Sequence, residues 1–216
     1  MHPHKRTKLD RIDKIQLKIS FILKSALFVL MVVSIVRKDL FLIFSSVIAL
    51  FFTFLPSIIE RNYKINIPLE FETFVTLFLF LHFALGEMQG FYHKVAWWDL
   101  MLHSSSAVML GILGFMIIYV LFYTKEVKGN AFFIAVFSLF FALSLGAIWE
   151  IFEFTADMLF GFRMQGSGLV DTMVDLILDL IGALIAATLG YMYIIKKKKG
   201  LVHRMISRYY AFNLKN

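Results

Sequence analysis

Residues 149 to 190 read WEIFEFTADMLFGFRMQGSGLVDTMVDLILDLIGALIAATLG. Two apolar runs meet here at a short glycine-containing turn, and the ends facing that turn carry Glu150, Glu153 and Asp157 on one side and Asp171, Asp175 and Asp179 on the other. A charge at the centre of a bilayer costs about 2.5–3.5 kcal/mol even on insertion scales, so acids within spans face a cavity or a partner. Spacings of three and four residues place each set on one side of its helix. The stripes continue with small residues: Ala135, Ser138, Ala142 and Gly146 lead to Glu150, and Gly182, Ala186 and Gly190 follow Asp179. Small residues at this interval let membrane helices approach closely.

Working outward, the rest of the chain has the same apolar character. With 60% hydrophobic residues, 17% aromatics and a mean hydropathy of +0.78, it is too apolar for a soluble globule. A transmembrane helix needs roughly 20 mainly apolar residues, and six stretches qualify: 19–36, 40–59, 70–85, 97–123, 131–159 and 169–195. The expected fold is therefore all-α, a polytopic membrane bundle over 19–195. A basic segment, 1–18, precedes it and a basic tail, 196–216, follows. Short connections leave no room for a soluble domain. Cysteine is absent, which excludes disulfides, thiolate metal ligands and a cysteine nucleophile. The 19–36 run is interrupted by Lys24 and lacks a small-residue cleavage site after it, so it reads as a retained anchor. Ile12, Ile15, Ile19 and Ile22 recur opposite Arg11, Lys14 and Lys18, a pattern suited to a short helix lying on an anionic membrane surface.

Basic residues set the expected orientation. Of 22 Lys and Arg residues, 17 fall on one side: Lys5, Arg6, Lys8, Arg11, Lys14, Lys18, Arg61, Lys64, Lys125, Lys128, Lys196, Lys197, Lys198, Lys199, Arg204, Arg208 and Lys215. Arg37, Lys38, Lys94 and Arg163 fall on the other. The positive-inside rule then places both termini in the cytoplasm of a cell-membrane protein. Anionic lipid accounts for the net charge of +7 without a nucleic-acid partner. In this topology the acids of 149–179 lie in the extracytoplasmic half, with Asp179 about 12 Å deeper than Asp171. Asp99 and His103, four residues apart at the start of the fourth span, lie at the same level, and His82, Glu87 and His93 stand near the outer end of the third.

Trp149, Glu150, Ile151, Phe152 and Glu153, followed by Asp171, Thr172, Asp175, Asp179, Gly182 and Ala183, and preceded by Trp98, Asp99 and His103, resemble the YjdF-like bacterial inner-membrane proteins, a family of unestablished function. The resemblance covers roughly 55–190, including Leu55, Pro56, Glu60, Pro68, Leu69, Leu81 and His82. A second likeness is to VanZ-like proteins, named for glycopeptide-antibiotic tolerance. Their pattern has Asp and His four apart, Glu and Gln three apart, and Asp-x-x-x-Asn-x-x-Gly. Asp99 and His103, Glu150 and Glu153, and Asp175, Asp179 and Gly182 stand in similar places. Glu153 replaces Gln and Asp179 replaces Asn, which makes this site more acidic.

Hard oxygen ligands with an imidazole suit a divalent cation, and close carboxylates in a poorly hydrated space need one or must take up protons. Asp99, His103, Glu150, Glu153, Asp175 and Asp179 are the expected metal-binding set, with Asp157 and Asp171 near the rim. Arg163, in the loop before Asp171, is a candidate clamp for an anionic group. Three functions fit these residues. One is binding or processing a lipid or envelope-precursor headgroup with a bound cation. Another is proton- or cation-coupled transport, since acids and a histidine also make relays. In the third, the acids pair helices and nothing more. Ser104, Ser105 and Ser106 follow His103, but no activating partner accompanies them, and hydroxyls in spans usually bond back to their own helix. No catalytic residue is assigned on sequence. Glu70 and Glu72 suit the positive end of the third helix, Trp97 and Trp98 an interfacial anchor, and Pro56 a kink or stop in the second span.

Overall fold

The computed structural model describes residues 11–63, 67–196 and 200–213. Lys5, Arg6, Lys8, Lys64, Lys197, Lys198, Lys199 and Lys215, used above for orientation, lie outside them. The described residues form helices α1 (Arg11–Arg37), α2 (Leu40–Tyr63), α3 (Leu69–Phe80), α4 (Phe91–Lys94), α5 (Trp98–Tyr123), α6 (Ala131–Phe160), α7 (Leu169–Lys196) and α8 (Leu201–Asn213). Leu81–Met88 extends α3 as a π-helix. Among the described residues, six helices are long and apolar enough to cross a membrane: α1, α2, α3 with its π-helical extension, α5, α6 and α7. The protein is an all-helical polytopic membrane protein.

The chain divides into two compact units, residues 1–96 with 205–216, and residues 97–204. In the first, α1, α2 and α3 pack on one another. Their core holds Leu27, Leu42, Ala49 and Phe83, flanked by Leu30, Leu50 and Leu79. Ser34, Ser46 and Thr53 are buried there and donate to carbonyls of their own helices, which makes small hydroxyls acceptable in an apolar seam. In the π-helix His82 stacks on Phe78 and is hydrogen-bonded through Nδ1 to the Tyr92 hydroxyl.

The structure bears on three local expectations in this unit. The basic isoleucine-striped segment is no separate surface helix: α1 runs unbroken from Arg11 to Arg37, and its buried Asp13 meets Arg208. Pro56 does not end the second span, because α2 continues to Tyr63. The tail also contains α8, whose Met205 and Ile206 are buried. Glu70 and Glu72 do more than complement a helix end. Arg208 Nη1 lies 2.7 Å from Asp13 Oδ1 and 2.8 Å from Glu70 Oε1, and Lys24 Nζ donates to Glu72 Oε1 at 2.9 Å. The partner that Lys24 needs inside an apolar span is thus a carboxylate of α3.

In the second unit α5, α6 and α7 pack pairwise. Apolar side chains such as Ile148, Ile151, Ile177 and Leu184 point outward, as a lipid-facing surface requires, whereas the buried stripes are small: Ala142 and Gly146 on α6, Gly182, Ala183 and Ala186 on α7. Dispersion contact between closely approaching backbones, rather than apolar burial, holds helices together in lipid. The Ser138 hydroxyl adds a bond across the seam to the Gly111 carbonyl at 2.7 Å. Asn130 caps α6 by accepting from Phe133 N at 2.9 Å, and Gly161, at φ 67°, closes the helix in a left-handed conformation that a side chain would strain.

Candidate functional site

The second unit brings together carboxylates from three helices around one imidazole. His103, one turn after Asp99 on α5, is its centre. Its Nε2 stands 3.8 Å from Asp99 Oδ1, 3.9 Å from Glu150 Oε1 of α6 and 4.0 Å from Asp175 Oδ2 of α7. Its Nδ1 faces the other way, 3.4 Å from Asp179 Oδ1. One ligand atom each from Asp99, His103 and Asp175 can be chosen so that all lie within 4.8 Å of one another. Glu153 is buried one turn from Glu150 and lies within the electrostatic reach of Glu150, His103, Asp99 and Asp175.

Burial is deep and graded. Glu150, Asp175 and Asp179 are 4%, 3% and 2% exposed, while the Asp99 side chain retains 32%, so the cluster opens on the Asp99 side. Glu150 Oε1 and Oε2 and Asp179 Oδ2 are sealed from solvent and accept no hydrogen bond of normal geometry among the described residues. The Thr172 hydroxyl approaches Glu150 without such geometry and accepts from Gln165 Nε2 at 2.8 Å. Buried carboxylate oxygens without donors are costly.

Packing at the deep end depends on glycine. A Cβ at Gly146 would collide with the Asp179 carboxylate, so the missing side chain of α6 makes the space that Asp179 occupies. A Cβ at Gly182 would come 2.6 Å from the Ser104 carbonyl and 2.7 Å from Ala107 Cβ, which shows how closely α5 and α7 approach beside His103. Beyond Asp179 the seam is Gly111, Ser138, Ala142 and Ala186 in mutual proximity.

The remaining candidate residues take other positions. Asp157 is spent on the α6–α7 turn, accepting from Met164 N at 2.8 Å and Gln165 N at 3.0 Å. Asp171 lies against Gly166 in the same turn, where a Cβ on that glycine would come 2.9 Å from its Oδ2, and within reach of Asp99 and Asp175. Arg163 is exposed and makes no ion pair among the described residues. Ser104, Ser105 and Ser106 donate to the carbonyls of Leu100, Leu102 and His103 at 2.8, 3.1 and 2.8 Å. Their hydroxyls are engaged with their own helix. Gln165, in the turn three residues before Gly168, gives no periodic signal, and Thr172 stands out in the sequence only through the family resemblance.

Comparison with known proteins agrees with this architecture. The family described as Predicted membrane protein (DUF2238) matches residues 19–196, which include most of α1, the five later spans and every carboxylate of the cluster. An uncharacterized protein of Thermotoga maritima is 33% identical over 156 residues, covering 68% of this chain and 73% of the relative. No solved structure matches. The YjdF-like resemblance read from Trp149 to Ala183 fits this family, and the chain belongs to it: a DUF2238 membrane protein.

Proposed function

We propose that the α5–α6–α7 unit binds a divalent cation at the extracytoplasmic side of the membrane and through it holds the anionic headgroup of a lipid or envelope precursor. The observation that carries this reading is the convergence of four carboxylates, Asp99, Glu150, Asp175 and Asp179, on a single imidazole, with Glu153 buried one turn from Glu150 and three buried oxygens that accept no hydrogen bond of normal geometry. Two like charges 4 Å apart repel by about 4 kcal/mol at an effective dielectric of about 20. One imidazole, even protonated, leaves most of that repulsion standing, whereas a dication ligated by several of these oxygens removes it and satisfies the orphaned acceptors. The opening beside Asp99 leaves the ion reachable from one side. The likeness of the Asp-His, Glu-Glu and Asp-Asp-Gly spacings to VanZ-like proteins supports an envelope ligand. The glycine–alanine seam beyond Asp179 favours a single-entrance site over a relay through the bilayer.

Binding stabilises by mass action, by about 2.7 kcal/mol at a hundredfold excess over Kd. Calorimetry of the purified protein in detergent, with chelator and with added dications, should show a raised Tm that Asp175→Asn abolishes without preventing membrane insertion. A short-chain lipid phosphate should raise it further only when the cation is present. A protein indifferent to dications that takes up protons near neutral pH would replace this reading with proton-coupled transport.

A further inference from the structure

The three carboxylates facing His103 Nε2 stand 3.8 to 4.0 Å away, beyond the 2.7–3.2 Å of a hydrogen bond. Metal ligands about 2.1 Å from a shared ion are separated by roughly 3.4 Å at a tetrahedral angle and by about 4.2 Å when opposed. The observed separations fall inside that range, and the ligand atoms of Asp99, His103 and Asp175 also lie within 4.8 Å of one another, as atoms around one ion must. Glu150, almost fully buried and with neither oxygen in a hydrogen bond of normal geometry, stands 3.9 Å from the same nitrogen but outside that three-residue set.

The two ring nitrogens have different surroundings. Nδ1 has one carboxylate neighbour, Asp179 Oδ1 at 3.4 Å, and Asp179 is itself seated in the space left by Gly146. A ligating histidine commonly directs its other ring nitrogen to a carboxylate, which selects the tautomer and fixes the ring; losing such a partner costs 10–100-fold in metal affinity. An imidazole in the ligand set also discriminates among dications. Calcium and magnesium take oxygen ligands, while first-row transition dications also accept imidazole, iron, nickel, copper and zinc more readily than manganese.

Resting on the cation reading above, we propose that the site selects a first-row transition-metal dication ligated by His103 Nε2 with Asp99 and Asp175, beside the buried Glu150 carboxylate, and that Asp179 is a positioning residue that orients the imidazole. Of the six carboxylate and imidazole groups that spacing alone treats as equivalent, Asp99, His103 and Asp175 therefore serve as ligands and Asp179 as support.

The test uses the full chain in detergent or nanodiscs. Mn²⁺, Co²⁺ or Zn²⁺ should raise Tm at concentrations at least tenfold below those needed for Mg²⁺ or Ca²⁺. Pulsed EPR of the Mn²⁺-loaded protein should show coupling to one imidazole ¹⁴N. That coupling should vanish in His103→Gln and persist in Asp179→Asn, with affinity in the latter lowered 10–100-fold. The wild-type spectrum decides the matter even if a variant fails to fold. Equal response to Mg²⁺ and Mn²⁺, absence of nitrogen coupling, or unchanged affinity in Asp179→Asn overturns this assignment while leaving cation binding in place. Indifference to every dication removes both.

Discussion

At Gly146 a single absent methyl group decides whether Asp179 has a place. The α6 backbone passes so close to the Asp179 carboxylate that Gly146→Ala must displace either the helix or the acid. Overpacking of this kind costs about 1–3 kcal/mol. Thermal unfolding in detergent should show that loss together with a weakened dication response, because the displaced carboxylate is the one beside His103 Nδ1. Gly161→Ala, strained by its left-handed backbone, should cost about 1 kcal/mol and leave the dication response unchanged. A Gly146→Ala protein with normal stability would contradict the packing described here. His103 illustrates the same dependence on close neighbours: its four acidic contacts come from three helices, and none is visible from the residue's own sequence surroundings except Asp99.

Among the elements, the α6–α7 turn and the α1–α3 pair show how charges near membrane spans are used structurally. Asp157 shares the acidic face of α6 with Glu150 and Glu153, yet its two oxygens accept the Met164 and Gln165 amides and so shape the turn. Asp157→Ala should lower stability by about 1 kcal/mol, as for loss of a capping carboxylate. Dication affinity should remain within twofold, whereas Asp175→Asn should abolish it; titration followed by Tm separates the two roles. In the first unit Lys24 and Glu72 neutralise each other, with side chains 15% and 12% exposed. Removing one partner of a buried pair costs about 3–5 kcal/mol, while replacing both with apolar residues is often neutral. Lys24→Met should therefore be severely destabilised and the Lys24→Met, Glu72→Leu double variant largely restored, as measured by thermal unfolding in detergent. An additive double variant would show that the two charges act independently.

For the whole molecule, orientation is the property on which the extracytoplasmic placement of the site depends. Basic residues concentrate beside Arg11, Lys125, Lys128 and Lys196, on the side assigned to the cytoplasm. In this cysteine-free chain, Ser167→Cys should react with a membrane-impermeant thiol reagent in intact cells, and Glu126→Cys only after permeabilisation. The opposite pattern would invert the protein and move the carboxylate cluster to the cytoplasmic half. Six spans and their approximate ends follow from the sequence, because the length and apolar continuity needed to cross hydrocarbon are local properties. Helical spacing likewise makes the shared faces of Asp99 with His103, Glu150 with Glu153, and Asp175 with Asp179 readable. Which of those acids surrounds the imidazole depends on how three helices are rotated and how closely they approach. Glycine and alanine stripes permit that approach but do not specify its register, so the use of Asp157 in a turn and of Asp179 beside the imidazole is seen only in the folded unit. The ion pair of Asp13 with Arg208 joins residues almost 200 positions apart, and only the tertiary structure decides it, since no periodicity within one helix records the charge that another brings to its side.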